Sequence, residues 1–587
     1  MTLTGPSGCA EGDAALARGA WTDARGAFDA ALAIQETPES LEGLATAGWW
    51  LDLADVVFEA RERAHRLYLA NGNRRAAARL AVWLAWDYWA FRGEHAVANG
   101  WLQRARRLLD DDPACAERAW LDIREGSMCL FEEGDTERGF ALAGEGIRIA
   151  REAGSVDLEM LGRAVQGLAL VQSGAVAEGM RGLDEVNAAV LAGELTDLVA
   201  IGLSCCYLIA ACERVRDYDR AVQWCTRLKA FCMKWGLRPL FAVCRSQYAS
   251  ICLWRGTWLE AEEELRAASQ ELAASRPAMT GDALVRLGEL RRRQGRLVEA
   301  ADLFDQSGPH GLALLGRAEL AFDRGDLRAA REQAERYLRH VPLLNRTDRA
   351  AALDLLVRAL TGLGERERAA TALTELAGIA NLVSTAPLRA AASFAAGYVA
   401  LGDSKPDAAR QHLEDAVDLY LQSGAPFEVA RARIELARAL GSLGRTDDAL
   451  EEAQRAIELL AELNAQFEMG RARTVLESLK HSPQTGGKAD AHSRNGGLTK
   501  REIEVLRLVA EGLNNQTIAE RLFVSDHTVH RHLANILRKL SVSTRAAAVA
   551  QAARRGLLNP QSLITNPESL IPESRIPESR IPESLNP

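Results

Sequence analysis

The 587-residue chain has no uninterrupted apolar run of the roughly 20 residues a membrane-spanning helix needs. Its most apolar stretch, Leu198 to Cys212, is shorter and is broken by Gly202, Ser204 and Tyr207, so a buried helix is expected there, and no membrane partner. No basic segment followed by an apolar one opens the chain, and Glu11 and Asp13 stand where the apolar part of an export signal would lie. The predicted location is the cytoplasm. None of the ten cysteines forms a CxxC pair. Seven of them (Cys205, Cys206, Cys212, Cys225, Cys232, Cys244 and Cys252) fall close together, and they read as small buried residues in a reducing compartment. A phosphate-binding G-x-x-x-x-G-K-[ST] is missing too: Gly486-Gly487-Lys488-Ala489 lacks the hydroxyl and precedes no helical pattern. With no receiver-type acidic pattern, catalytic triad or metal cluster either, no enzyme activity and no cofactor are expected.

What the chain has is length, helix-forming composition and uneven charge. It is too long for a single core. Its 48% hydrophobic and 26% charged residues suit a soluble globular protein, and the abundance of Ala, Leu, Arg and Glu favours helix. Net charge is -9, yet residues 497 to 557 carry ten Lys or Arg against five Asp or Glu, hence +5, leaving -14 for the rest. A basic module on an acidic body is the asymmetry expected of a nucleic-acid reader with a separate regulatory part.

Along the acidic body a Gly is followed five residues later by Ala or Gly, at Gly19/Ala24, Gly93/Ala98, Gly134/Gly139, Gly174/Gly179, Gly256/Ala261, Gly295/Ala300, Gly325/Ala330, Gly364/Ala369 and Gly444/Ala449. Weaker copies are Asp55/Ala60, Arg216/Ala221 and Gly402/Ala408. The period near 40 residues accommodates two helices and two turns. Each Gly ends a first helix, and the small residue lets the second approach closely. About twelve such hairpins predict an all-α solenoid over residues 1–480. The units resemble tetratricopeptide-like repeats in the long form of MalT-type bacterial regulators.

Residues 481–497 (HSPQTGGKADAHSRNGG) lose apolar periodicity and read as a flexible linker. Residues 558–587 end in repeats of the type IPESR, whose recurring Pro blocks helix, and read as a disordered low-complexity tail.

Between them, residues 498–557 parse into four short helices. Thr499 and Glu502 suggest a capping box for the first, and Asn515 a cap for the second. Phe523, Val524 and Ser525 make a turn into a third helix, Ser525 to Leu540, with an apolar stripe of Val529, Leu533, Ile536, Leu537 and Leu540. Its opposite face suits a DNA major groove. A last helix runs from Thr544 to Arg555. The succession LTKRE, EGLNNQTIAERL, SDHTVHRHLANILRKL and RAAAVAQAARRGL closely resembles LuxR-type DNA-binding domains.

That resemblance implies a transcriptional regulator binding double-stranded DNA as a homodimer paired through the last helix. It places His530, Arg531 and Ala534 at the bases and Thr528, Arg538, Lys539 and Arg545 at phosphates. His532 is expected to pack inward. Many relatives carry Lys or Arg where His530 stands, so the charge there depends on pH. With no nucleotide switch, sensing would fall to the solenoid, through a protein, peptide or small-molecule effector. The aromatic cluster of Trp49, Trp50, Trp83, Trp86, Tyr88, Trp89, Phe91 and Trp101 is expected to be core first and a groove second.

Overall fold

Stretches with apolar residues at helical spacing fold as helices throughout, and among the described residues there is no strand. The computed structural model describes residues 7–236, 238–308, 310–481, 498, 500–522 and 526–558, so the expected linker and nearly all of the expected tail lie outside it. Two compact units emerge, Met1–His481 and Ser482–Pro587.

Among the described residues of the first unit, 25 α-helices form twelve hairpins and a closing helix, from Ser7–Ala17 with Trp21–Ile34 to Pro426–Ser442 with Thr446–Glu462, then Gln466–His481. This is the α-solenoid expected from the repeats. The hairpin turns use left-handed residues at 19, 52, 93, 134, 174, 216, 256, 295, 325, 364, 404 and 444, with φ between 58° and 98°. Two expected anchors are thereby corrected. The turning residues are Asp52 and Ser404, not Asp55 and Gly402, and the inward residues five positions on are Val57 and Ala409, both at 0% exposure. A search for Gly missed them because short polar side chains also adopt this conformation.

Small residues at the helix crossings are obligatory where backbones touch. A Cβ on Gly179, in helix Val176–Ala192, would stand 2.5 Å from the Gly167 carbonyl oxygen in helix Val156–Ser173. Gly179→Ala is therefore expected to lower stability by about 1–3 kcal/mol. Gly470→Ala, on an open helix face with nothing within 4 Å, should raise it by about 0.5–1 kcal/mol. Chemical denaturation of the two variants compares these opposite signs.

Repeats far apart in sequence touch, so successive turns of the superhelix stack. Arg276 Nε donates to Asp52 Oδ1 at 2.9 Å and its Nη2 to the Trp49 carbonyl at 2.9 Å, across 224 and 227 residues. Trp21 Nε1 donates to the Gly236 carbonyl at 3.3 Å, Arg346 Nη1 to that of Ser173 at 2.7 Å, and Arg214 pairs with Asp348 at 3.0 Å. These contacts bury charge. Arg276 lies over the rings of Trp49 and Phe91 at 4.2 and 4.4 Å, and Arg61 over Trp83 at 4.4 Å while paired with Asp87. Within the aromatic cluster Trp49, Trp50 and Phe91 are core, whereas Trp83, Trp86, Tyr88, Trp89 and Trp101 are only half-buried. Trp49 and Trp50 are each 3% exposed, with Trp21 stacked on Trp50 at 5.1 Å and Trp86 on Trp89 at 4.9 Å.

Burial alone would raise the Glu289 carboxyl, but Arg292 and Arg293 hold it down to about 2. A depressed acid contributes stability that is present above its unfolded value, near 4.5, and lost as pH falls towards 2. Asp87 and Asp354 run the other way, since burial raises both, and they soften the acid transition. Glu289→Gln is expected to flatten the stability loss between about pH 4.5 and 2, read by denaturant midpoints at stepped pH.

The most apolar helix, Leu198–Val215, is 78% buried within the solenoid. Burial pushes the thiols of Cys129 and Cys225 up to about 12 and that of Cys252 to about 11, consistent with packing residues. The Cys232 side chain lies outside the described residues.

Candidate nucleic-acid interface

The second unit has its own core. Its helices are α1 (Lys500–Ala510), α2 (Asn515–Leu522), α3 (Asp526–Leu540) and α4 (Arg545–Arg554). Ile503, Val505, Leu506 and Val509 of α1 meet Ile518 and Ala519 of α2, Val529, Leu533, Ile536 and Leu540 of α3, and Ala548 and Ala552 of α4. Of the expected α3 stripe only Leu537 is less than fully buried. Leu558, where the tail was expected to begin, is 4% exposed and joins this core.

Caps set the helix starts. Thr544 Oγ1 accepts from the Ala547 amide at 3.1 Å to open α4. At α2 the cap is Asn514, whose Oδ1 accepts from the Thr517 amide at 2.9 Å. This corrects the expected Asn515 cap by one residue. Either Asn could cap by residue type, and only the backbone decides which side chain folds back. Asn515, freed from capping, places its Nδ2 2.9 Å from His530 Nε2 on α3. Nothing in the sequence pattern signalled that contact. Thr499 of the expected capping box and the turn residues Phe523, Val524 and Ser525 lie outside the described residues.

The expected contact residues separate into groups. His530, Ala534 and Arg538 are exposed and recur every fourth residue, which lines them along one face of α3. Arg538 Nη2 donates to Asn535 Oδ1 at 3.3 Å. The side chains of Thr528 and Arg531 lie outside the described residues. His532 is 9% exposed, on the inward side as expected. Arg545 is exposed and its Nη2 donates to the Leu513 carbonyl at 2.7 Å, tying α4 to the turn before α2. Lys539 is engaged within the domain: its Nζ donates to Glu502 Oε2 at 2.9 Å, with the Glu502 side chain 3% exposed.

An ammonium clamping a buried carboxylate holds α3 against α1. Lys539→Ala removes one charged partner of that buried carboxylate and is expected to cost the domain about 1.5–3 kcal/mol, seen as a lowered thermal midpoint. A residue acting on phosphate alone would leave the midpoint unchanged.

A short helix leading into a longer one that carries an exposed polar stripe over a buried apolar one defines a helix-turn-helix domain. Residues 497–552 match the family described as bacterial regulatory proteins, luxR family. Over 85 residues the chain is 47% identical to the transcriptional regulatory protein LiaR of Bacillus subtilis, covering 14% of this chain and 37% of that one. Over 51 residues it is 55% identical to a nitrate/nitrite response regulator protein homolog of Haemophilus influenzae, covering 9% and 24%. The chain spans from 10% to 39% of the length of such curated relatives. Among solved structures, one chain of the APC/C hetero-tetramer Cut9-Hcn1 is similar at TM-score 0.45 and 15% identity, covering 80% of this chain and 95% of that one. A Rap protein complexed with competence and sporulation factor is similar at TM-score 0.37 and 15% identity, covering 59% and 99%.

Proposed function

We propose that this chain is a cytoplasmic, sequence-specific DNA-binding transcriptional regulator, with α3 in the major groove and the solenoid as its regulatory and interaction module. The luxR-family match over 497–552 carries the reading, and the exposed stripe of His530, Ala534 and Arg538 supports it. In this reading His530, Arg531 and Ala534 face bases, while Thr528, Arg538 and Arg545 meet phosphates. Lys539 joins them, since its ammonium carries three N–H donors and the one given to Glu502 leaves two for a phosphate. A two-fold site read by a dimer paired through α4 follows from the family's manner of binding. A protein, peptide or small-molecule effector is assigned to the solenoid, whose repeat surfaces suit such a partner.

Selection of bound DNA from a random pool with the purified chain tests the proposal. A consensus whose affinity falls steeply with salt is expected, because phosphate contacts release counterions. Failure to enrich any sequence would leave the chain as an interaction scaffold. Comparing residues 481–587 with the full chain tests regulation, and equal affinity and cooperativity would remove the inhibitory role of the solenoid.

A further inference from the structure

We infer that Arg124 anchors a binding site for a small planar carboxylate within the solenoid, with the Trp120 indole N–H as second donor and the rings of Trp86 and Trp120 as walls. The inference gives a chemical class to the effector proposed above, and the binding itself is measured without DNA. It starts from an imbalance of charge. Of the eleven arginines buried among the described residues, ten pair with a carboxylate. Arg124, on helix Ala116–Met128 and 3% exposed, is the one that does not. Its Nη1 donates to the Tyr207 hydroxyl at 3.3 Å, and its Nη2 is buried with no hydrogen-bond partner. Burial accordingly presses its guanidinium below the usual arginine range, with the Tyr207 hydroxyl as the counterweight. A buried cation with an idle donor is costly, and an anion is what completes it.

A second idle donor lies on the same face of the helix. Trp120, one turn earlier, also has a buried Nε1 with no acceptor, and the Arg124 guanidinium carbon is 5.4 Å from its ring centroid. The two oxygens of a carboxylate can accept one bond from each donor. Its single negative charge matches the single guanidinium, whereas a phosphate dianion would leave one charge uncompensated in a dry site. The surroundings favour a flat apolar body on that carboxylate. The guanidinium lies 3.9 Å over the Trp86 ring, and Trp83 packs 5.5 Å from Trp120. Solvent is near, since Trp86 and Trp120 are half-buried and Phe131, 5.7 Å from the Tyr207 ring, is 43% exposed. Both idle nitrogens are covered, so entry proceeds by a shift of the half-buried Trp120 ring. Trp86, Arg124 and Tyr207 stand on helices Arg74–Asp87, Ala116–Met128 and Leu198–Val215, of the third, fourth and sixth hairpins. An occupant therefore ties together repeats that are not neighbours and stiffens the superhelix between them, a physical route from ligand to solenoid shape.

The test titrates the full-length chain with benzoate by calorimetry, with benzamide as the neutral counterpart of the same shape, and follows the thermal midpoint in parallel. Saturable benzoate binding and a raised midpoint are expected, with benzamide about 10-fold weaker or more, because only the carboxylate supplies the missing charge. Arg124→Met should abolish benzoate binding and keep or raise the ligand-free midpoint, since it removes an unpaired buried charge at similar volume. Trp120→Phe keeps a ring and loses the N–H, and should weaken benzoate roughly 3- to 10-fold, the effect of one hydrogen bond. A purely structural Arg124 would give no benzoate binding by wild type and a lowered midpoint in Arg124→Met, which overturns the inference. It is equally overturned if benzamide binds as well as benzoate, if chloride at the same concentration raises the midpoint as much, or if either variant keeps wild-type affinity. Should Arg124→Met fail to fold, the preference for benzoate over benzamide and the Trp120→Phe loss decide. Benzoate binding by a chain that selects no DNA sequence would remove the DNA-reading proposal and leave this site standing.

Discussion

Asp87→Ala is expected to cost the solenoid about 3–5 kcal/mol, the largest single effect on stability, because it strands a guanidinium in the core. Arg61 is 2% exposed, pairs with Asp87 and lies over the Trp83 ring at 4.4 Å. Asp87 is fully buried at 0%, and burial raises its carboxyl despite Arg61, so the pair is held under tension between desolvation and attraction. The double variant Arg61→Met/Asp87→Leu removes both charges and keeps apolar volume, and should recover most or all of the loss. Denaturant titration of the three proteins measures this. A single-variant cost under about 1 kcal/mol would mean that Arg61 finds water or another partner. Sequence-selective DNA binding should persist in all three, since Asp87 lies in the solenoid unit and α3 in the other.

The largest effect on DNA binding is expected from Arg531→Ala, at about 1–3 kcal/mol, or roughly 5- to 150-fold, with specificity relaxed at one base position. Arg531 follows His530 on the reading helix, and a planar guanidinium matches guanine O6 and N7 in a way that Lys does not. Arg538→Ala, two turns along the exposed face, should weaken binding to all sequences alike and reduce the slope of log K against log salt by about 1. Binding isotherms at several salt concentrations, on the selected site and on a scrambled one, separate the two. If Arg531→Ala lowers both isotherms equally, Arg531 is a phosphate contact.

Much of this was legible from residues alone, for local reasons. Ile503, Leu506 and Val509 of α1, and Val529, Leu533, Ile536 and Leu540 of α3, fall at helical spacing and turn out to be buried, because amphipathic periodicity is a property of the chain before it packs. The Gly at nine hairpin turns announced the repeat for the same reason. Asp52 and Ser404 escaped notice because residue type is a weaker sign of left-handed backbone than Gly. Asn514 and Asn515 were ambiguous because both have the capping side chain, and a one-residue shift in helix start exchanges their roles.

The sequence by itself therefore determined the all-α architecture, the hairpin repeat and the helix-turn-helix with its inward and outward faces, since each depends on neighbours within a few turns of helix. Only the tertiary structure decided that Arg276 reaches Asp52 across 224 residues, that Lys539 pairs with Glu502, and that Asn515 meets His530. Those pairings depend on the accumulated twist of many repeats or on the angle at which two helices cross. Small rotations at each junction add up to the distance between charges, and no local pattern records their sum.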